Sequence, residues 1–158
     1  MQTWIDLKFA DGEYSFRLGL PQIAEIERKC GAGIGAIYAR TLRGRYGIGD
    51  DEIMPTEADY RFPELVEVIR QGLIGGASGV VDKMEVKVSS VRANDLIDAY
   101  VLGISERRMA LRQTWALAAA ILAALIEGYS PPKKGEPGES PATPKKSSTS
   151  RRRSPTAR

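Results

Sequence analysis

Residues 5–18 alternate apolar and polar side chains about one Asp11-Gly12 pair. Asp-Gly between two alternating runs is a strong signal for a two-residue turn, so the chain should begin as a β-hairpin. Folding about that pair sets Phe9 opposite Tyr14, Leu7 opposite Phe16 and Ile5 opposite Leu18. All six apolar residues then share one face, while Asp6, Lys8, Ser15 and Arg17 share the other. A slip of one residue would turn the whole apolar set outward, which specifies the register. A lone hairpin is marginal in water, so the rest of the chain has to cover it.

That cover reads as helix. Gly19-Leu20-Pro21 ends the second strand, and Pro21 suits the first turn of a helix. Ile23, Ile26 and Cys30 recur at helical steps among Glu25, Glu27, Arg28 and Lys29, and Gly31 stops the run. A second helix begins near Ile34, turns Ile37, Tyr38 and Leu42 to one face and ends at Gly44. Residues 44–61 have no period and read as a long loop. A third helix starts near Pro63, with Leu65, Val66, Ile69 and Leu73 inward, and ends at Gly75-Gly76. Met84, Val86 and Val88 alternate with Glu85, Lys87 and Ser89, predicting one further short strand that could extend the hairpin. Ser89 or Ser90 caps a fourth helix carrying Leu96, Ile97, Tyr100 and Val101. A fifth runs from about Glu106 to Glu127, its buried stripe being Leu111, Trp115, Ala118, Leu122, Leu125 and Ile126. From Trp115 onward it is apolar nearly all round, which predicts a helix buried on several sides or one that meets a partner. The expected fold class is α+β: an N-terminal β-hairpin, with a third short strand, packed on a mainly α-helical domain of about five helices.

Composition changes abruptly at Ser130. Residues 131–158 are mostly Pro, Ser, Thr, Gly, Lys and Arg with no large apolar side chain, so they are expected to be disordered. They hold eight basic residues against Glu136 and Glu139, a net charge of +6. The whole chain of 158 residues carries only +3, so residues 1–130 carry −3. The organisation expected is therefore one globular domain over 1–130 and a basic tail over 131–158.

Several chemistries are excluded or disfavoured at this level. One cysteine cannot form an intramolecular disulfide, and the absence of histidine removes the usual Cys/His zinc site and the Ser-His-acid triad. Gly31-Ala32-Gly33-Ile34-Gly35-Ala36 lies between helices, follows no strand and precedes no Gly-Lys-Ser/Thr, so a helix break suits it better than a phosphate loop. Asp50-Asp51-Glu52 lacks the alternating acceptors of a calcium loop. Cys30 falls on an apolar face, where a small core residue is expected rather than a nucleophile. No catalytic, cofactor or metal residue is therefore nominated. The Met1-Gln2-Thr3-Trp4 start has no signal-peptide character, and the apolar run Trp115–Ile126 spans 12 residues, too few to cross a bilayer. A cytoplasmic location without membrane contact is expected.

The order of several segments carries a resemblance. Phe9-Ala10-Asp11-Gly12-Glu13-Tyr14, Leu20-Pro21-Gln22-Ile23-Ala24-Glu25-Ile26-Glu27 and Gly33-Ile34-Gly35-Ala36-Ile37-Tyr38-Ala39-Arg40 are followed by Val68-Ile69-Arg70-Gln71-Gly72-Leu73-Ile74-Gly75-Gly76, Asp98-Ala99-Tyr100-Val101 and Trp115–Leu122. With Gly128-Tyr129-Ser130-Pro131-Pro132-Lys133-Lys134 at the end, this resembles the gene-transfer-agent-like family of phage tail proteins over about residues 1–134. The resemblance implies a tail tube protein or a tail assembly chaperone from a prophage-like cluster, with no catalytic residues to carry over. A chaperone that binds the tape-measure protein is the leading expectation. A structural tube subunit or minor virion component, with the tube protein or a second copy as neighbour, is the alternative. A nucleic-acid-binding accessory role would rest on the tail alone. The candidate partner-binding residues are Trp115, Ala119, Ala123, Leu125 and Ile126; candidate tail contacts are Lys133, Lys134, Lys145, Lys146, Arg151, Arg152 and Arg153.

Overall fold

The alternation at the start becomes two six-residue strands, β1 (Trp4–Phe9) and β2 (Gly12–Arg17), and the chain closes over them with helices. The computed structural model describes residues 1–43, 59–103 and 106–133. The remaining elements are α1 (Leu20–Cys30), α2 (Ile34–Arg43), α3 (Phe62–Gly76), β3 (Ser78–Val81), β4 (Met84–Lys87), α4 (Ser90–Ile97) and α5 (Leu111–Ile126). A π-helical turn over Asp98–Leu102 continues α4. The four strands form one antiparallel sheet in the order β1-β2-β3-β4. The architecture is thus the α+β one expected, with a larger sheet.

The hairpin forms, but its register is displaced by two positions. Phe9 faces Gly12, Leu7 faces Tyr14 and Ile5 faces Phe16, instead of Tyr14, Phe16 and Leu18 respectively. The connecting residues are Ala10 and Asp11, with Ala10 at φ 55. Gly12 is needed elsewhere: β2 also pairs with β3, and a Cβ at Gly12 would collide with the Val80 carbonyl oxygen. The glycine serves the strand crossing, and the turn moves back onto Ala10-Asp11. Because side chains alternate with period two, this displacement keeps the faces intact. Ile5, Phe9, Tyr14 and Phe16 are buried, and Ser15 Oγ donates to Asp6 Oδ1 across the outer face at 2.7 Å.

One further strand was expected near residue 84, and two are present. β4 occupies that position, and β3 precedes it across a turn at Asp82 (φ 49) and Lys83 (φ 66). Two consecutive left-handed residues are what a tight hairpin turn of this hand requires. In Ser78-Gly79-Val80-Val81 the glycine breaks the apolar alternation, which hides β3 in the sequence. Gly79 is there because Tyr14 covers it: a Cβ would run into the tyrosine ring.

Helix α5 packs on several sides, against α2, α3, β1 and β2, as its composition implies, but α3 is buried more completely still. From Glu64 to Leu73 every residue of α3 except Arg70 is buried, between β2, α1, α4 and α5. Its sequence disguises this because Glu64 and Glu67 read as a polar face. Both carboxylates are paired: Glu64 with Arg40, and Glu67 with Lys29 (3.1 Å), Arg70 and Gln71 Nε2 (2.9 Å). Pairing is what makes such burial tolerable. The last turn of α3 lies directly on β2, where a Cβ at Gly75 or Gly76 would strike the carbonyl oxygens of Arg17 or Ser15. The glycines read as a helix stop are also a contact surface.

Helix boundaries follow their chemistry. Gly31 (φ 64) ends α1 and donates its N–H to the Glu27 carbonyl at 3.0 Å; Ser89 Oγ caps α4 by accepting from Arg92 N at 3.2 Å. In α2 the inward residue is Thr41 rather than Leu42, which is exposed. The Thr41 hydroxyl is satisfied by the Ile37 carbonyl at 2.8 Å, so a polar residue can take the core position. Helix α5 begins at Leu111, several residues later than expected. Leu111 and Ile126, at its two ends, are exposed at 47% and 45%, while Leu117 and Ala124 are buried in their place. The end residues project past the elements that cover the middle of the helix.

Candidate functional site

Helix α5 supplies the candidate surface, and its composition decides what that surface is. Thr114, Trp115, Leu117, Ala118, Ile121, Leu122 and Ala124 are buried against the body. At 100° per residue the opposite arc carries Ala116, Ala119, Ala120 and Ala123, all half-buried, between exposed Arg112, Gln113 and Glu127. A face lined with alanine lets another backbone approach closely, because little side chain stands in the way.

The nominated residues separate into two groups. Trp115 is 4% exposed, and its indole N–H donates to the Thr41 carbonyl at 2.8 Å. It ties α5 to α2 and is unavailable to another chain. At the far end, Tyr38 Oη donates to Glu127 Oε1 at 2.8 Å, so α2 is anchored near both ends of α5. Burial and that carboxylate push the Tyr38 hydroxyl pKa up. Ala119, Ala123 and Leu125 are half-buried and Ile126 is exposed, so these four remain accessible. Of the nominated tail residues, Lys133 is exposed; Lys134, Lys145, Lys146, Arg151, Arg152 and Arg153 lie outside the described residues. So does the acidic run Asp50-Asp51-Glu52.

A second surface has no signature in the sequence. On the side of α5 nearest the hairpin, a groove of about 800 Å³ opens between β1, the residues just before α5, and Ala116, Leu117 and Ala120. Its parts come from three distant segments, and the 107–109 wall is held by Met109 N donating to the Tyr100 carbonyl at 2.7 Å. No sequence pattern joins those segments.

Among the described residues, the interior groups that chemistry could have used have structural partners. Burial, together with the nearby Glu64 and Glu67 carboxylates, pushes the Cys30 thiol pKa up, which makes it a poor nucleophile. Gly31 terminates α1, and Glu27 Oε2 accepts from Ile34 N at 3.0 Å, so a carboxylate sits where a phosphate loop would receive its ligand. Among the described residues no cluster of three His, Cys, Asp or Glu could hold a metal, and no helix is long and apolar enough to cross a membrane.

The surface that stands out among the described residues is the accessible face of α5 on a small α+β body. Residues 3–52 match the model of the family described as phage tail tube protein, GTA-gp10, a stretch that takes in the first hairpin, α1 and α2. No curated protein and no solved structure matches the chain. The match covers about a third of the chain and supports the likeness to gene-transfer-agent-like phage tail proteins that the sequence carries.

Proposed function

We infer that the protein is a tail assembly chaperone, which holds the tape-measure protein while tube subunits polymerise around it. The observation that carries this reading is the outer arc of α5, where Ala116, Ala119, Ala120 and Ala123 are half-buried, with Ile126 exposed at the helix end. Such a face suits a long apolar helix laid alongside it. The sheet supports the same reading, since its strands are only four to six residues long and α3 occupies one of its faces. A ring-forming tube subunit needs more sheet than that.

A structural tube subunit is the second reading, favoured by the family's description and by two sheet edges, β1 and β4, at the ends of the strand order. The test replaces Ala119 or Ala123 with Arg and co-expresses each variant with the tape-measure protein. Retained helicity with lost co-purification supports the chaperone. Two folded variants that still bind normally would move the interface elsewhere.

A further inference from the structure

We propose that the groove between the first hairpin and α5 binds an amphipathic helix of a partner protein whose apolar stripe is edged by carboxylates. The floor is apolar: Leu7, Tyr100 and Met109 are half-buried, and Phe9 and Leu117 lie beneath them. Ala116 and Ala120, one turn apart, form the wall on α5 and leave room for a second helix at the 8–10 Å separation of packed helices. From Gln113 to Ala120 the wall runs about 10 Å, enough for two turns of a partner helix.

The rim selects the charge. Lys8, Arg107 and Arg108 line it and are exposed. The lining contains one opposing carboxylate, Glu13, which sits across the β1–β2 ladder from Lys8. The rim is therefore net positive above an apolar floor, although residues 1–130 as a whole are net negative. Nucleic acid would meet the same cations but finds little ring surface to stack on: Phe9 is 3% exposed, and Tyr100 is half-buried and packed on it at 6.2 Å between centroids. An acidic-edged helix satisfies floor and rim together. Neither Ala119 nor Ala123, the positions that test the chaperone reading, lines this groove, so the two stand or fall apart.

The test uses two fluorescent peptides of about 18 residues, long enough to form helix on binding, that share one Leu/Ala stripe and carry either Glu or Lys flanks. Full-length protein is titrated into each and anisotropy is read. The Glu-flanked peptide should bind at least about tenfold more tightly than the Lys-flanked one, and more weakly as salt rises. Arg107→Glu with Arg108→Glu should reverse that order, whereas Lys87→Glu, on β4 and away from the groove, should leave it unchanged. Ala116→Trp, with helicity checked by circular dichroism, should abolish binding of both by filling the groove. Equal binding of both peptides would overturn the proposal. So would binding of the Glu peptide that ignores the Arg107/Arg108 reversal, which would place it on the basic tail. Displacement of the peptide by a single-stranded oligonucleotide from unreversed protein, but not from the Arg107/Arg108 variant, would assign the groove to nucleic acid instead.

Discussion

Trp115 shows how one atom reassigns a residue. An aromatic in the middle of an apolar helix reads equally well as core or as partner anchor, and the indole N–H bonded to Thr41 makes it core. Trp115→Phe removes that bond and leaves a void, and should cost about 2–3 kcal/mol of stability by chemical denaturation. Partner binding by the folded variant should be unaffected. A second residue-scale consequence lies at the hairpin tip, where Asp11 accepts from Tyr14 Oη and from Arg92 Nη2 at 2.8 Å. Burial would raise the Asp11 pKa, but the Tyr14 hydrogen bond, the backbone and Arg92 outweigh it and hold the carboxyl below its ordinary value. A depressed carboxylate pKa contributes stability that is fully present above about pH 4 and is lost as pH falls through the folded-state value. Asp11→Asn should therefore flatten the acid limb of the stability curve below pH 4 while lowering stability near neutrality. A curve parallel to that of the parent chain would show that Asp11 has no such role.

At the scale of elements, what was legible depended on whether a pattern was local. The first hairpin, the ends of α1 and α3 and the Ser89 cap are local, and all four follow from their own residues. The register is not local, because Gly12 answers to Val80, nearly seventy positions away. Strand β3 was hidden for a similar reason, since Gly79 answers to Tyr14. The burial of α3 was concealed by charges whose partners, Arg40 and Lys29, sit on other helices. The outer face of α5 was visible as a run of alanines, whereas the groove beside it joins three segments that no periodicity links. Close approach of α3 to β2 makes a sharp prediction. Gly76→Ala puts a methyl into the Ser15 carbonyl and should destabilise by roughly 2 kcal/mol or more, despite alanine's better helix propensity. Ala39→Gly, exposed on α2, is the control and should cost only about 1 kcal/mol.

For the whole molecule, the two termini of the folded body meet. Gln2 and Tyr129 exchange backbone hydrogen bonds at 3.0 and 2.8 Å, so the segment after α5 closes beside the start of β1. We propose residue 130 as the boundary of the folded unit. A chain of residues 1–130 keeps that bridge and should unfold within a few degrees of full length, whereas one ending at residue 126 should melt lower. A large drop for 1–130 would mean that the basic tail docks on the body.

The proposed role in tail assembly is tested most directly by mass spectrometry of purified particles, paired with deletion of the gene. A chaperone is required for tails to form yet is absent from, or only a trace in, the finished particle. Recovery of the protein in stoichiometric amounts with the tube would contradict the chaperone and establish a structural subunit.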